Sequence, residues 1–181
     1  VKIYRAELID SAWTNITVMP FSSDFYSTQH PTLNKDNTKL YFSSDMPSTT
    51  GSFDIYYVDI TGENYSNPIN LGGTINTKHR EQFPFITNEE TLYFASNGHK
   101  GLGGLDLYLS TYKDAQFEEA LNLGHTINSG MDDFGFVLQD SIQEGFFSSN
   151  RDGKDRLYAF TREPNVKTYF LEGEVRDKNS K

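Results

Sequence analysis

The chain has 181 residues, 16 Lys and Arg against 25 Asp and Glu, a formal charge of −9, and no Cys. The lack of Cys excludes a disulfide scaffold, a Cys-ligated zinc site and a cysteine nucleophile. The acidity argues against nucleic acid or an anionic membrane surface as partner, since both need a positive footprint. Hydrophobic residues make up only 36% and aromatic residues 14%, a combination that fits a core of Tyr and Phe carried on strands. No apolar run approaches the roughly 20 residues of a membrane helix.

In chain order, Val1 to Ile9 reads as a strand, with Ile3-Tyr4-Arg5-Ala6 aligning to Ile55-Tyr56-Tyr57-Val58 further on. Trp13 to Phe21 reads as an outer strand running into the next unit. From Pro31-Thr32-Leu33 a pattern begins that returns at intervals of about fifty residues. The short apolar block recurs as Phe83-Pro84-Phe85-Ile86 and Phe134-Gly135-Phe136-Val137-Leu138. It is followed by Leu40-Tyr41-Phe42-Ser43-Ser44-Asp45, then Leu92-Tyr93-Phe94-Ala95-Ser96-Asn97, then Gly145-Phe146-Phe147-Ser148-Ser149-Asn150. A further block is Phe53-Asp54-Ile55-Tyr56, repeated as Leu105-Asp106-Leu107-Tyr108 and Lys154-Asp155-Arg156-Leu157-Tyr158. The last block appears twice, as Asn70-Leu71-Gly72-Gly73-Thr74-Ile75-Asn76 and Asn122-Leu123-Gly124-His125-Thr126-Ile127-Asn128.

Each block reads as a strand, being short, rich in Tyr, Phe, Ile and Leu, and bounded by Gly, Asn, Asp and Ser. The turns between them vary in length, as surface loops on a constant frame do. Strands that are apolar at consecutive positions predict burial on both faces. Four short antiparallel strands per unit, stacked face to face, predict an all-β partial β-propeller of about three and a half blades; a solenoid of sheets is the rival architecture. The expected divisions are a partial blade at 1–21 and blades at about 27–72, 79–124 and 130–162, together forming a propeller region over 1–163. The last unit lacks an outer strand, which predicts further blades upstream of Val1 or closure by a second copy. Residues 164–181 read as a linker and the first strand, at Thr168 to Asp177, of a following β-sandwich.

The string from Leu92 to Tyr108, with its Leu-Tyr-Phe-Ala-Ser-Asn and Gly-Gly-Leu-Asp-Leu-Tyr segments, resembles the signature of TolB-type, WD40-like propeller repeats. It is most similar to those of OmpA-family envelope proteins of the Bacteroidota, over about residues 1–162. The last unit departs from the signature at Gly145-Phe146 and Arg156. The tail from Thr168 is similar to the opening strand of a carboxypeptidase-regulatory-like domain. The resemblance implies a non-catalytic adaptor in the periplasm, associated with the outer membrane and in some members lipoprotein-anchored. In the PorE type it serves type IX secretion and gliding, with peptidoglycan gripped by a C-terminal OmpA-like domain outside this chain.

The residues themselves offer few catalytic groupings. Asn150-Arg151-Asp152-Gly153-Lys154-Asp155 lacks the bidentate Glu that ends a calcium loop and carries two cations, so it reads as a turn. Asp54, Asp106 and Asp155 recur at the start of the third strand and are expected to serve the blade by bonding the preceding turn. The glycines of Gly98 to Gly104 are expected to supply turns with positive φ. His30, His79, His99 and His125 lie apart in sequence; a metal held by His30 and His79 is a remote alternative, and no cofactor is expected. The connections from outer strand to next inner strand carry Asn76, His79, Glu81, Asn128, Asp132 and Asp133. These are the candidate contacts for a basic peptide or a cation at the mouth of an axial channel, unless the Asn residues merely satisfy loop backbone. A propeller hydrolase or lactonase using Asp24, Glu81, Asp132 and Asp133 is one alternative function. A glycan-binding propeller is the other, with Trp13, expected to pack on an outer strand, as its sole indole.

Overall fold

A computed structural model describes residues 1–163; the strand expected at Thr168 to Asp177 lies outside the described residues. These form fifteen strands in four antiparallel sheets. An opening hairpin pairs β1 (Tyr4–Ile9) with β2 (Ala12–Val18). The first blade follows with β3 (Thr28–Leu33), β4 (Lys39–Ser44) and β5 (Asp54–Thr61). Its outer edge consists of two short pieces on β5, β6 (Asn64–Tyr65) and β7 (Ile69–Asn70). The second blade repeats the design with β8 (Glu81–Ile86), β9 (Thr91–Ser96), β10 (Asp106–Lys113), β11 (Gln116–Phe117) and β12 (Leu121–Asn122). The third has β13 (Asp133–Gln139), β14 (Glu144–Ser149) and β15 (Arg156–Thr161). This is the arrangement of a partial β-propeller. Among the described residues no helix is long and apolar enough to cross a membrane.

Three apolar cores lie between successive sheets rather than within any one of them. Phe42, Tyr56 and Val58 meet Ile3, Met19 and Phe21 of the hairpin region. Tyr41 and Ile55 meet Ile86, Leu92 and Phe94 of the second blade. Tyr93 and Leu107 meet Phe136, Leu138 and Phe147 of the third. A strand whose two faces both meet another sheet must be apolar at consecutive positions, and Leu40 to Phe42 and Leu92 to Ala95 are buried residue after residue. Flat aromatic rings fill these thin layers in stacked pairs, such as Phe21 on Phe42 at 4.6 Å and Tyr93 on Phe136 at 4.1 Å between ring centres.

The outer edge differs from the expected continuous strand. Between its two pieces lie Ser66-Asn67-Pro68 in the first blade and Glu118-Glu119-Ala120 in the second. Pro68 has no N–H to give to a ladder, while the Ser66 and Glu118 amides still reach back to the carbonyls of Asp59 and Thr111.

A second device recurs in the inner strands. Each has a register shift, between Gln29 and Thr32, Gln82 and Phe85, and Phe134 and Val137. At the bulge the backbone is left-handed, with φ of 54° at His30, 53° at Phe83 and 65° at Gly135. Only the third position carries the residue that favours this conformation. A bulge re-aims a side chain, and here it lays the His30 ring on Phe83 at 3.7 Å, with Phe83 5.1 Å from Phe134.

His30 accepts the Phe83 N–H at Nδ1, 3.3 Å away, so it must be neutral at that nitrogen. Burial pushes its pKa from 6.5 down to about 4. Unfolding frees the ring to take up a proton first, so this group's contribution to stability is intact above its unfolded value and is lost progressively as pH falls towards about 4. Urea midpoints measured from neutral pH downwards should decline over that window. His30→Phe, which places in the first blade the residue that the second already holds left-handed, should show a smaller decline. An identical slope in the variant would refute the assignment.

Candidate functional site

The loops from each outer edge to the next inner strand, 72–81 and 124–133, carry the sequence-predicted residues. Each begins with an Asx turn, in which Asn70 Oδ1 accepts the Gly72 N–H and Asn122 Oδ1 that of Gly124, both at 2.8 Å. The amides of Ile75 and Asn76 then close on the Gly72 carbonyl, and those of Ile127 and Asn128 on the Gly124 carbonyl. The Asn-Leu-Gly-x-Thr-Ile-Asn block is therefore a turn and not a strand, with only its first residue, Asn70 or Asn122, in the sheet.

Asn76 is 2% exposed. Its Oδ1 accepts the Ile55 N–H at 2.8 Å, and its Nδ2 donates to Ile55 O at 2.9 Å and Asn70 Oδ1 at 2.8 Å. Asn128 makes the same three bonds to Leu107 and Asn122. Each amide extends the blade where the outer strand has already turned away, accepting a backbone N–H, of Ile55 or Leu107, that burial would otherwise leave unpaired.

Glu81 and Asp133 open their inner strands and are completely buried. Glu81 accepts from Thr77 N and Oγ1 at 2.8 and 2.7 Å and from Ser96 Oγ at 2.6 Å. The shorter Asp133 accepts from Ser129 N and Oγ at 2.6 and 2.9 Å and from the Arg151 guanidinium at 2.7 Å. Arg151 also donates to the Ile127 carbonyl and lies over the rings of Phe147 and Tyr158, at 5.2 and 4.7 Å. In the second blade His99 does the corresponding work. Its Nε2 meets the Ile75 carbonyl at 2.8 Å, and its ring lies 5.8 and 5.1 Å from Phe94 and Tyr108. The two latches sit three residues after Ser96 and two after Ser149, so alignment by position does not pair them.

Asp54 and Asp106 behave as expected of turn residues. Asp54 accepts the amides of Thr50 and Gly51, and Asp106 those of Leu102 and Gly103. Asp155 does not join them. The register pairs Ser149 with Arg156, where Ser44 and Ser96 pair with Asp54 and Asp106. Asp155 thus falls one residue short of that place and is exposed; its tighter turn closes through Gly153 N–H to Asn150 O.

The glycines before Asp54 and Asp106 also work differently from the expectation. None of Gly98, Gly101, Gly103 or Gly104 has positive φ. Close approach is the constraint, since a Cβ on Gly51 would lie 2.1 Å from His79 O and one on Gly103 2.2 Å from Met131 O. Each third-strand turn thereby presses onto the connecting loop of the following blade.

Four of the six candidate contact residues, Asn76, Glu81, Asn128 and Asp133, are therefore corrected to internal supports, because burial and saturated hydrogen bonding keep them from a partner. Asp132 is half-buried, holding Leu105 N at 2.8 Å and Asn150 Nδ2 at 3.3 Å. Of the six, only His79 is exposed, between exposed Lys78 and Arg80. Asp24 forms a surface ion pair with Lys2 at 2.7 Å. Among the described residues no group of three or more His, Asp or Glu side chains is placed to hold a metal ion. Trp13, expected to pack, is 68% exposed on β2 opposite Leu8.

No family model matches the chain, and no curated protein matches it. Among solved structures it is similar to the crystal structure of TolB from Acinetobacter baumannii, with 13% identity and a TM-score of 0.52 over 81% of this chain and 32% of that one. The chain thus spans about a third of the length of that structure. The likeness is one of fold, and it agrees with the all-β propeller arrangement of the sheets.

Proposed function

We propose that this chain is part of a non-catalytic protein–protein interaction scaffold in the bacterial periplasm, associated with the outer membrane. The observation that carries the reading is how the loops at 72–81 and 124–133 are held. Buried amides and carboxylates fix their backbone, leaving Lys78, His79, Arg80 and Met131 exposed on a preformed frame. A surface already ordered loses less conformational freedom when a partner docks. The exposed groups of the first loop are basic, although the chain is acidic overall, which suits an acidic partner segment; of the carboxylates expected to attract a basic one, Glu81 and Asp133 are buried and Asp132 is half-buried. The propeller fold and the signature from Leu92 to Tyr108 support a finer reading. In it the scaffold joins outer-membrane secretion or gliding machinery to peptidoglycan, the latter through an OmpA-like domain outside this chain.

The test is capture of partners by the full-length envelope protein, with and without Lys78→Glu and Arg80→Glu together. Partner recovery should fall about tenfold or more, with the melting temperature unchanged because both residues are exposed. Equal recovery by the variant, or no partner at all, would count against the proposal.

A further inference from the structure

Between the first and second blades, towards their outer edges, lies a cleft of about 320 Å³. Both blades that bound it carry their outer pieces, β6 and β7 on one and β11 and β12 on the other. Its walls are aromatic, with Tyr41 and Tyr57 on the first blade and Tyr112 and Phe117 on the second. Lys39 and Glu90 face each other across it.

The next interface shows why the space is there. Tyr93 stands on β9 where Tyr41 stands on β4. It stacks flat on Phe136 at 4.1 Å, and Phe136 stacks on Phe160 at 4.9 Å. Glu81 pairs with Ser96 as Asp133 does with Ser149, so the place of Phe136 is taken in the second blade by Pro84. Tyr41 therefore has no ring stacked on it. Tyr57 is tilted to it by 38° at 5.8 Å, and Phe117 meets it edge-on at 6.4 Å. Tyr112 in turn meets Phe117 edge-on at 5.0 Å. Rings at these angles splay instead of closing flat on one another, and the cleft is the space between them.

The polar groups of the cleft are uncommitted. Tyr41 is 6% exposed, yet its hydroxyl bonds to no other described residue, and neither do those of Tyr57 and Tyr112. Burial first, and the Glu90 carboxylate second, raise the pKa of Tyr41, so its phenol stays protonated and both donates and accepts. Lys39 is tied to Asp59 and lies over the Tyr57 ring at 4.3 Å. With Glu90 opposite, the cleft has no surplus of positive charge, which disfavours an anion.

We propose that this cleft binds one ring of a neutral saccharide, its C–H face against Tyr112 and its hydroxyls on the phenols of Tyr41, Tyr57 and Tyr112. A sugar ring joins an apolar face to hydroxyls that both donate and accept, which matches aromatic walls carrying phenols of the same dual character. The volume lies at the lower end for small-molecule sites, and Tyr112 is the most open aromatic wall, at 38% exposure. The exposed Trp13 takes no part. The inference is independent of the partner surface at Lys78 and Arg80.

Cellobiose, maltose and diacetylchitobiose, each at tens of millimolar, are the probes, added singly to the full-length protein. Saturation-transfer NMR should show transfer from the protein to the ring protons of at least one of them. Tyr112→Ser removes the open wall and should weaken that binding about tenfold or more. Tyr41→Phe keeps the ring and removes only the hydroxyl. It should weaken binding about fivefold and leave the melting temperature unchanged, because that hydroxyl bonds to no protein group. Lost stability with undiminished sugar binding in Tyr41→Phe would make the hydroxyl a support of the blade and overturn the inference. Absence of transfer to all the sugars would overturn it too, as would transfer that both variants leave unchanged.

Discussion

Arg151→Ala should destabilise the chain by about 3 kcal/mol, at the lower end of the range for breaking a buried pair because Arg151 keeps some solvent contact. Asp133 is completely buried, and Arg151 is its cationic partner at 2.7 Å. Without the guanidinium the carboxylate keeps only the Ser129 amide and hydroxyl, and the Ile127 carbonyl loses a donor as well. The rings of Phe147 and Tyr158 lose the flat group that lies over them. Urea denaturation of Arg151→Ala, Asp133→Asn and the double variant measures the coupling. The double variant should be more stable than Arg151→Ala alone, because it leaves no unpaired charge behind. A loss under about 1 kcal/mol for Arg151→Ala would mean that the pair behaves as a surface contact.

Gly103→Ala should cost a similar amount, about 3 kcal/mol, by overpacking. The new methyl would lie 2.2 Å from Met131 O and 2.7 Å from Ser129 O. Both are backbone atoms of a loop already fixed by Asn128 and Asp133, so neither can swing aside as a flexible side chain does. The strain should therefore spread to the third blade, and amide exchange there should rise along with the loss of stability. Gly73→Ala is the control. That residue has nothing within 4 Å of the added carbon and no positive φ, and its replacement should stay within about 0.5 kcal/mol. Equal effects at the two positions would show that close approach is not what Gly103 provides.

The contrast between these two glycines shows how far the sequence could be read. Both lie in recurrent Gly-rich turns, and composition does not separate them. Gly103 is constrained by a loop about thirty residues further along the chain, while Gly73 faces open space. The same holds for Asp155. It aligns with Asp54 and Asp106 by its neighbours, yet the tighter turn from Asn150 to Lys154 moves Arg156 into their register position. His99 and Arg151 are the reverse case, since they differ in residue type and in spacing from the preceding Ser, and the structure brings them to equivalent carbonyls, of Ile75 and Ile127, and to equivalent pairs of rings. Among the candidate contacts, the recurrence of Asn76 with Asn128 and of Glu81 with Asp133 was legible. Their burial was not, because an Asx residue in a loop has the same pattern whether it faces water or replaces a missing ladder bond.

By itself the sequence determined the all-β class, the repeat, the order of the strands and the placement of Tyr and Phe in the cores. Strand periodicity and turn chemistry act over a few residues, and here they agree in successive units. The tertiary structure decided the left-handed bulges at His30 and Phe83, the inward turn of Asn76, Glu81, Asn128 and Asp133, and the pressing of Gly51 and Gly103 onto the next loop. Each of these depends on a neighbouring sheet: whether a polar group is buried, or an apolar one exposed, is set by what packs on it, and in a stack of thin sheets that partner lies in another repeat.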